Sequence, residues 1–269
     1  MPLLWLKVAL ALYGVGLVYA LAALVRRAAL PRLTMPVVGL GVVFHFVSLV
    51  EAAIQAGGIT PASIHHSESL LGFLIITFFM AVYTRYRVTA PALFVFPVVF
   101  LLCFAAAIGQ APPQIDSPVL RSGWIFVHIA LIFAGYAALF FAFIASVLYL
   151  LQENNLKAKK SVGASRLPSL QVIDEIGYRS LLLGFPFMTL GLLAGSVIAQ
   201  VEYGPAFFLD PKILLALLMW SVYIVLLYTR WNNGWRGRKA AMLSAAAFVA
   251  ALATWAANYV SEVHKFVVQ

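Results

Sequence analysis

Apolar residues along this chain gather into eight long runs separated by short polar breaks, instead of alternating with polar residues at a helical period. The runs cover residues 3–25, 35–54, 69–83, 90–109, 124–151, 179–201, 213–229 and 240–260. A helix rises 1.5 Å per residue, so about 20 residues span a hydrocarbon core of about 30 Å. Lipid offers backbone groups no hydrogen-bond partner, which leaves the helix as the form for such runs. The pattern therefore predicts an all-α polytopic membrane protein with about eight transmembrane helices, 69–83 being the weakest. The run 3–25 is longer than the apolar part of a signal peptide and has no basic leader, so it is expected to remain as a span.

Composition sharpens this picture. Of 269 residues, 64% are hydrophobic and only 10% charged, and mean hydropathy is +0.98. Eight spans would use about 160 residues, leaving a single transmembrane domain over 1–269 and no room for a soluble one. The net charge of +9 does not form a nucleic-acid patch, because the basic residues lie between the apolar runs. The breaks after runs one, three, five and seven hold 14 of the 18 Lys and Arg residues; the others are Lys7, Arg121, Lys212 and Lys265. Basic loops stay on the cytoplasmic side, so both termini are expected on the non-cytoplasmic side. Trp5 and Trp124 would then mark the outer interface, Trp231 and Trp235 the inner one. The break 152–178 reads as a solvated linker in which 170–178 could form a short interfacial helix.

Few residues remain for chemistry. Cys103 is the sole cysteine, which excludes an intrachain disulfide or a CxxC pair and suits a small buried hydrophobe. Only Lys7 and Glu51 lie clearly within apolar runs, too few for a chain of buried carboxylates. No hydrolase, phosphate-loop or zinc motif is present. The histidines are His45, His65, His66, His128 and His264, and all but the mid-run His45 belong to the outer side.

Neutral imidazole ligates haem iron, and a six-coordinate site takes two such rings. His128 and His264, at outer helix ends, are candidate axial ligands, and His45 is a candidate second or transit ligand. Trp124 precedes His128 by one turn, so the two share a face. Arg121 and Lys265 are candidate contacts for propionates. The outer stretch EYGPAFFLDPK, 202–212, carries Tyr203 and Phe207, which could stack on a macrocycle or anchor the loop at the interface. Asp210 before Pro211 fits an N-cap followed by Pro at the first helical position. Read as residues alone, the histidines are equally open to a packing role.

The stretch 174–237 resembles the core of the cytochrome c assembly family, the CcsA and CcmC group of haem-handling membrane proteins. The resemblance rests on GYRSLLLGFPFMTLGLLAGSVIA, the DPK of 210–212, Trp220, Tyr223, the TR of 229–230 and GWRGRKAA. Upstream, WIFVHIALIFAGYAAL is similar to the family helix that carries an external histidine, which gives His128 that role. His264 is similar to the second external histidine, and ESLLGF at 68–73 to a further segment. The resemblance implies haem held beneath an aromatic outer loop and presented to apocytochrome c. Two departures stand out: Tyr203, Phe207 and Leu209 replace loop tryptophans, and Tyr228 stands where a membrane histidine is common. These bring the chain nearer a HemX- and YpjD-like branch.

The expected function is a haem-handling integral membrane protein of cytochrome c biogenesis in a bacterial inner (plasma) membrane. It would hold haem b (heme b, non-covalent) near the outer leaflet for delivery to apocytochrome c or another assembly subunit. Enzyme activity stays open, since thioether formation uses the cofactor's vinyl groups and the substrate's thiols. The alternatives are a HemX-like regulator of haem synthesis acting through 152–178, then a b-type redox protein, then a transporter.

Overall fold

The computed structural model describes residues 2–26, 28–56, 63–109, 123–158, 167–232, 234–235 and 237–256; the side chains of 64, 202, 203, 205–207, 255 and 256 are outside the description. Its elements are α1 (Pro2–Val25), α2 (Thr34–Ala56), α3 (Ile64–Tyr86), α4 (Ala92–Ile108), α5 (Gly123–Lys157), α6 (Leu170–Tyr203), a 3-10 turn (Gly204–Leu209), α7 (Pro211–Asn232) and α8 (Arg238–Ala256). No strand occurs among the described residues. Six helices, α1, α2, α3, α5, α6 and α7, are long and apolar enough to cross a membrane. The 17-residue α4 is shorter than a full span. Large apolar side chains such as Val18, Ile54, Leu193 and Val197 face outward, as lipid contact requires.

Two helices outrun their apolar segments. α5 continues to Lys157 and α6 starts at Leu170, so most of the stretch read as a solvated linker is helical, and 170–178 is the first part of α6. The reason is local. Ser169 caps α6 by accepting from the Val172 N–H at 3.4 Å, and i, i+4 ion pairs of 2.8 Å, Lys157 with Glu153 and Arg179 with Glu175, line the charged turns. Hydropathy registers the loss of apolar residues there but not the helix that continues.

The chain divides into two compact units, 1–126 and 127–269. In the first, α1 and α2 approach closely through glycines: a Cβ on Gly16 would meet Val38 at 2.7 Å, and one on Gly41 would meet Tyr13 at 2.8 Å. Small residues permit such contacts where lipid provides no hydrophobic force between helices. Tyr13, Ile76, Phe79 and Phe96 fill the core, and Trp5 stacks on Phe44 with centroids 5.4 Å apart.

In the second unit, Leu139, Leu181, Met188, Met219, Tyr223 and Leu226 form the core. Gly184 on α6 leaves room for the Tyr223 ring and for Ala138. At one end, the Arg230 guanidinium donates to Asp174 at 2.8 Å and lies 4.7 Å from the centre of the Tyr178 ring. The Tyr178 hydroxyl in turn accepts from the Trp231 indole at 2.7 Å. Thus the TR pair fastens α7 to the charged turns of α6. Polar residues within the helices are quenched locally: Ser146, Thr189, Ser196 and Thr254 each donate to the carbonyl four residues back.

Candidate functional site

Histidine is again the residue to follow, and the described histidines fall into three settings. His45 is wholly buried on α2. Its Nε2 lies 2.9 Å from the Ser69 hydroxyl on α3, and its Nδ1 lies 3.3 Å from the Tyr13 hydroxyl on α1. Cys103 on α4 places its Sγ 3.9 Å from the same Nδ1, and Phe73 packs edge-on at 5.5 Å. Both ring nitrogens are thus within reach of hydroxyls, so iron ligation by His45 would require giving up one of these contacts. Cys103 is free and fully buried, as a small hydrophobe should be.

His65 and His66 lie in the first turn of α3, where Ser63 caps the helix by accepting from the His66 N–H at 3.2 Å. His65 Nδ1 is 3.1 Å from a Glu68 oxygen, and its ring covers Gly109 at the end of α4. Here the imidazole and carboxylate pair locally. No cluster of three or more metal-binding side chains occurs among the described residues.

His128 is different. It sits on the second turn of α5, and its Nδ1 is 2.7 Å from the carbonyl oxygen of Gly191 on α6. A carbonyl can only accept, so Nδ1 carries the proton and Nε2 holds the lone pair. The ring lies against Gly191 and Gly195: a Cβ on Gly195 would overlap it. Among the described residues, no hydrogen-bond partner is recorded for Nε2. A backbone carbonyl that fixes one nitrogen and leaves the other as a free donor is the arrangement by which proteins prepare a metal-ligating histidine. The donor set therefore fits haem iron on one side.

The remaining site candidates distribute as follows. Trp124, one turn before His128 on α5, is exposed. The stretch read as an outer loop is the 3-10 turn Gly204–Leu209, with Phe208 and Leu209 exposed. Tyr203 and Phe207 belong to these elements, but their side chains are outside the description. Asp210 is buried and caps α7, its Oδ1 accepting from the Lys212 N–H at 2.9 Å, with Pro211 as the first helical residue. Arg121, His264 and Lys265 lie outside the described residues. Tyr228 is exposed on α7.

Counting charges treated Lys212 only as an orientation signal, whereas it is partly buried on the first turn of α7.

Comparison with known proteins bears on the family. The family model described as "Cytochrome C assembly protein" matches residues 62–264. The cytochrome c biogenesis protein CcsA of Chlamydomonas reinhardtii is 36% identical over 140 residues, covering 52% of this chain and 38% of that protein. CcsA of Synechococcus sp. WH7803 is 30% identical over 183 residues, 55% of this chain and 57% of that one. CcsA of Guillardia theta is 26% identical over 220 residues, with 73% and 72% covered. The chain thus spans about two fifths to somewhat over half the length of the first two relatives. These relatives speak for the family and give no support to the HemX-like branch. With the match running through the helices that carry His128 and the capped Asp210, the chain belongs to the cytochrome C assembly protein family.

Proposed function

We propose that this protein handles haem in cytochrome c biogenesis, holding it near the outer leaflet with His128 as one axial ligand and His264 as the other. The observation that carries the reading is the His128 ring itself. Its Nδ1 is held at 2.7 Å by the Gly191 carbonyl, the ring has room only because 195 is a glycine, and its Nε2 is left to bind iron. Bound haem would supply the iron and the vinyl groups on which thioether attachment depends. The protein's part is to fix the ring, to offer the exposed Phe208 and Leu209 of the 3-10 turn as apolar surface, and to keep the face open to a partner. Trp124, Tyr203 and Phe207 are assigned to the edge of the macrocycle, Arg121 and Lys265 to its propionates.

In this reading all eight helices lie in the inner (plasma) membrane of a bacterium, with both termini on the outer side. Short α4 completes its crossing within the protein instead of against lipid. The partner is apocytochrome c or another assembly subunit, and any lyase activity resides in the assembled complex.

The test is a pyridine haemochrome measurement on the full chain purified in detergent. Wild type is expected to carry haem and to show a Soret band, while His128→Ala and His264→Ala each lower haem content at least tenfold. Haem content unchanged in both variants refutes the ligand pair. A reporter fused at the C-terminus is expected to be active only outside the cytoplasm.

A further inference from the structure

We propose that the arginine-bearing end of the first unit, residues 1–126, is a docking surface for the phosphate headgroup of an anionic membrane lipid, gripped by Arg85 and Arg87 with Arg26 and Arg32 at the same end. The proposal is independent of the haem reading.

Helix packing brings these arginines to one place. Gly16 on α1 faces Val38 on α2 and Phe96 on α4, and Gly39 on α2 faces Met80 on α3. Farther along the same helices the pairs are Trp5 with Phe44, His45 with Ser69 and Gly72 with Cys103. Neighbouring helices therefore run antiparallel, so the end of α1, the start of α2, the end of α3 and the start of α4 share one end of the unit. Arg26, Arg32, Arg85 and Arg87 lie there, and all four are exposed.

No carboxylate accompanies them. The acidic residues of 1–126 are Glu51, Glu68 and Asp116. Glu51 stands near the end of α2 and Glu68 near the start of α3, at the opposite end of the unit, and Asp116 is outside the described residues. Among the described residues, Lys157, Arg179 and Arg230 of the second unit each pair with a carboxylate, and no ion pair involves the four arginines. Orientation in a membrane depends on the count of Lys and Arg, with acidic neighbours contributing little. It does not account for a cluster kept clear of carboxylates.

Two of the guanidiniums are presented edge-on. Arg87 Cζ lies 5.6 Å from the centre of the Tyr83 ring, and Arg85 Cζ lies 5.4 Å from that of Tyr86. Stacking occupies the face of a guanidinium and leaves its in-plane fork of N–H groups for a phosphate. Arg87 also closes α3 in the left-handed region, with φ 55°, a conformation that glycine adopts without steric cost. The chain accepts that strain and keeps an arginine.

The surroundings favour a lipid over a free anion. Leu24, Val25 and Leu33 are exposed beside Arg26 and Arg32 in the chain. Free phosphate would use the arginines alone. A phospholipid brings acyl chains for the aliphatic side chains and a phosphate for the guanidiniums, at the level where helices leave the hydrocarbon.

The experiment equilibrates the full chain in detergent with equimolar phosphatidylglycerol and phosphatidylcholine of identical acyl chains, and counts bound lipid by native mass spectrometry. Wild type is expected to hold the anionic lipid about tenfold over the neutral one, the scale of a charge-assisted hydrogen bond. Arg85→Gln with Arg87→Gln should bring the ratio close to one. Lys157→Gln with Arg179→Gln, an equal loss of positive charge, should leave it unchanged. Arg32→Gln lies outside any helix, should lower the ratio about threefold, and decides the matter if the double variant does not fold. A wild-type ratio near one overturns the proposal, as does a wild-type ratio in the arginine variants. An equal fall in both double variants overturns it too, by making the preference a matter of net charge. Loss of the preference in inorganic phosphate, at an ionic strength where chloride preserves it, overturns the lipid as the ligand.

Discussion

His45 and His128 are both imidazoles set in apolar helices, yet their ring nitrogens meet different kinds of neighbour. His45 has side-chain hydroxyls from two other helices at its two nitrogens and a thiol from a third beside Nδ1. It is a tie between α1, α2, α3 and α4. His128 has one nitrogen held by a backbone carbonyl and the other without a described partner. A hydroxyl can donate or accept and so tolerates either tautomer; a carbonyl can only accept and selects one. The lesson is that two imidazoles in apolar helices can differ in whether their neighbours fix one tautomer, which hydropathy does not reveal.

The contrast can be broken most severely at Gly195. Gly195→Ala places a methyl group where the His128 ring lies, so the ring must turn and the bond to Gly191 is lost. Haem content should fall about tenfold although no ligand has been removed, since a ligand-orienting contact commonly carries 10- to 100-fold in metal affinity. Pyridine haemochrome measurement checks this, and wild-type content would show that the glycine seat is irrelevant.

His45→Ala should act on the other side of the comparison. It leaves a cavity and strands the Tyr13 and Ser69 hydroxyls, at a cost of about 3 kcal/mol. Thermal unfolding in detergent should drop by several degrees, with haem per folded molecule unchanged. Loss of haem at unaltered stability would instead make His45 a ligand.

The smallest expected effect is at Tyr223. Among the described residues its buried hydroxyl has no hydrogen-bond partner, and it points at Gly184. Tyr223→Phe removes an unsatisfied group and keeps the ring, so stability should stay level or rise by about 1 kcal/mol. A marked loss would mean that the hydroxyl has a partner in the membrane, such as a ligand or water.

Much of the fold was legible because lipid imposes a simple rule on length and polarity. Each of the eight runs begins or ends within a few residues of a helix terminus. The differences lie at 152–157, which is helical and not linker, and at 170–178, whose expected short helix is the start of α6; there Glu153, Lys157, Glu175 and Arg179 form ion pairs that hydropathy cannot register. His128 was legible as a histidine near the start of its helix, and Asp210 as a cap from the DP pair. Gly191 and Gly195 were not, because their partner is more than 60 residues away and a glycine announces nothing until something packs on it. Lys212 was tallied for orientation, and its partial burial on the first turn of α7 is visible only in the fold.

The continuation of α5 to Lys157 has a mechanical meaning. From His128 to Lys157 the helix runs without a proline, a stiff beam of about 44 Å. Pivoting that beam by about 2° at its charged end would sweep the imidazole through about 1.5 Å, enough to rupture a 2.7 Å bond. The aim of the ring thus depends on bracing far from it, and the stacking of Phe143 on Phe248, centroids 4.4 Å apart, serves as a strut.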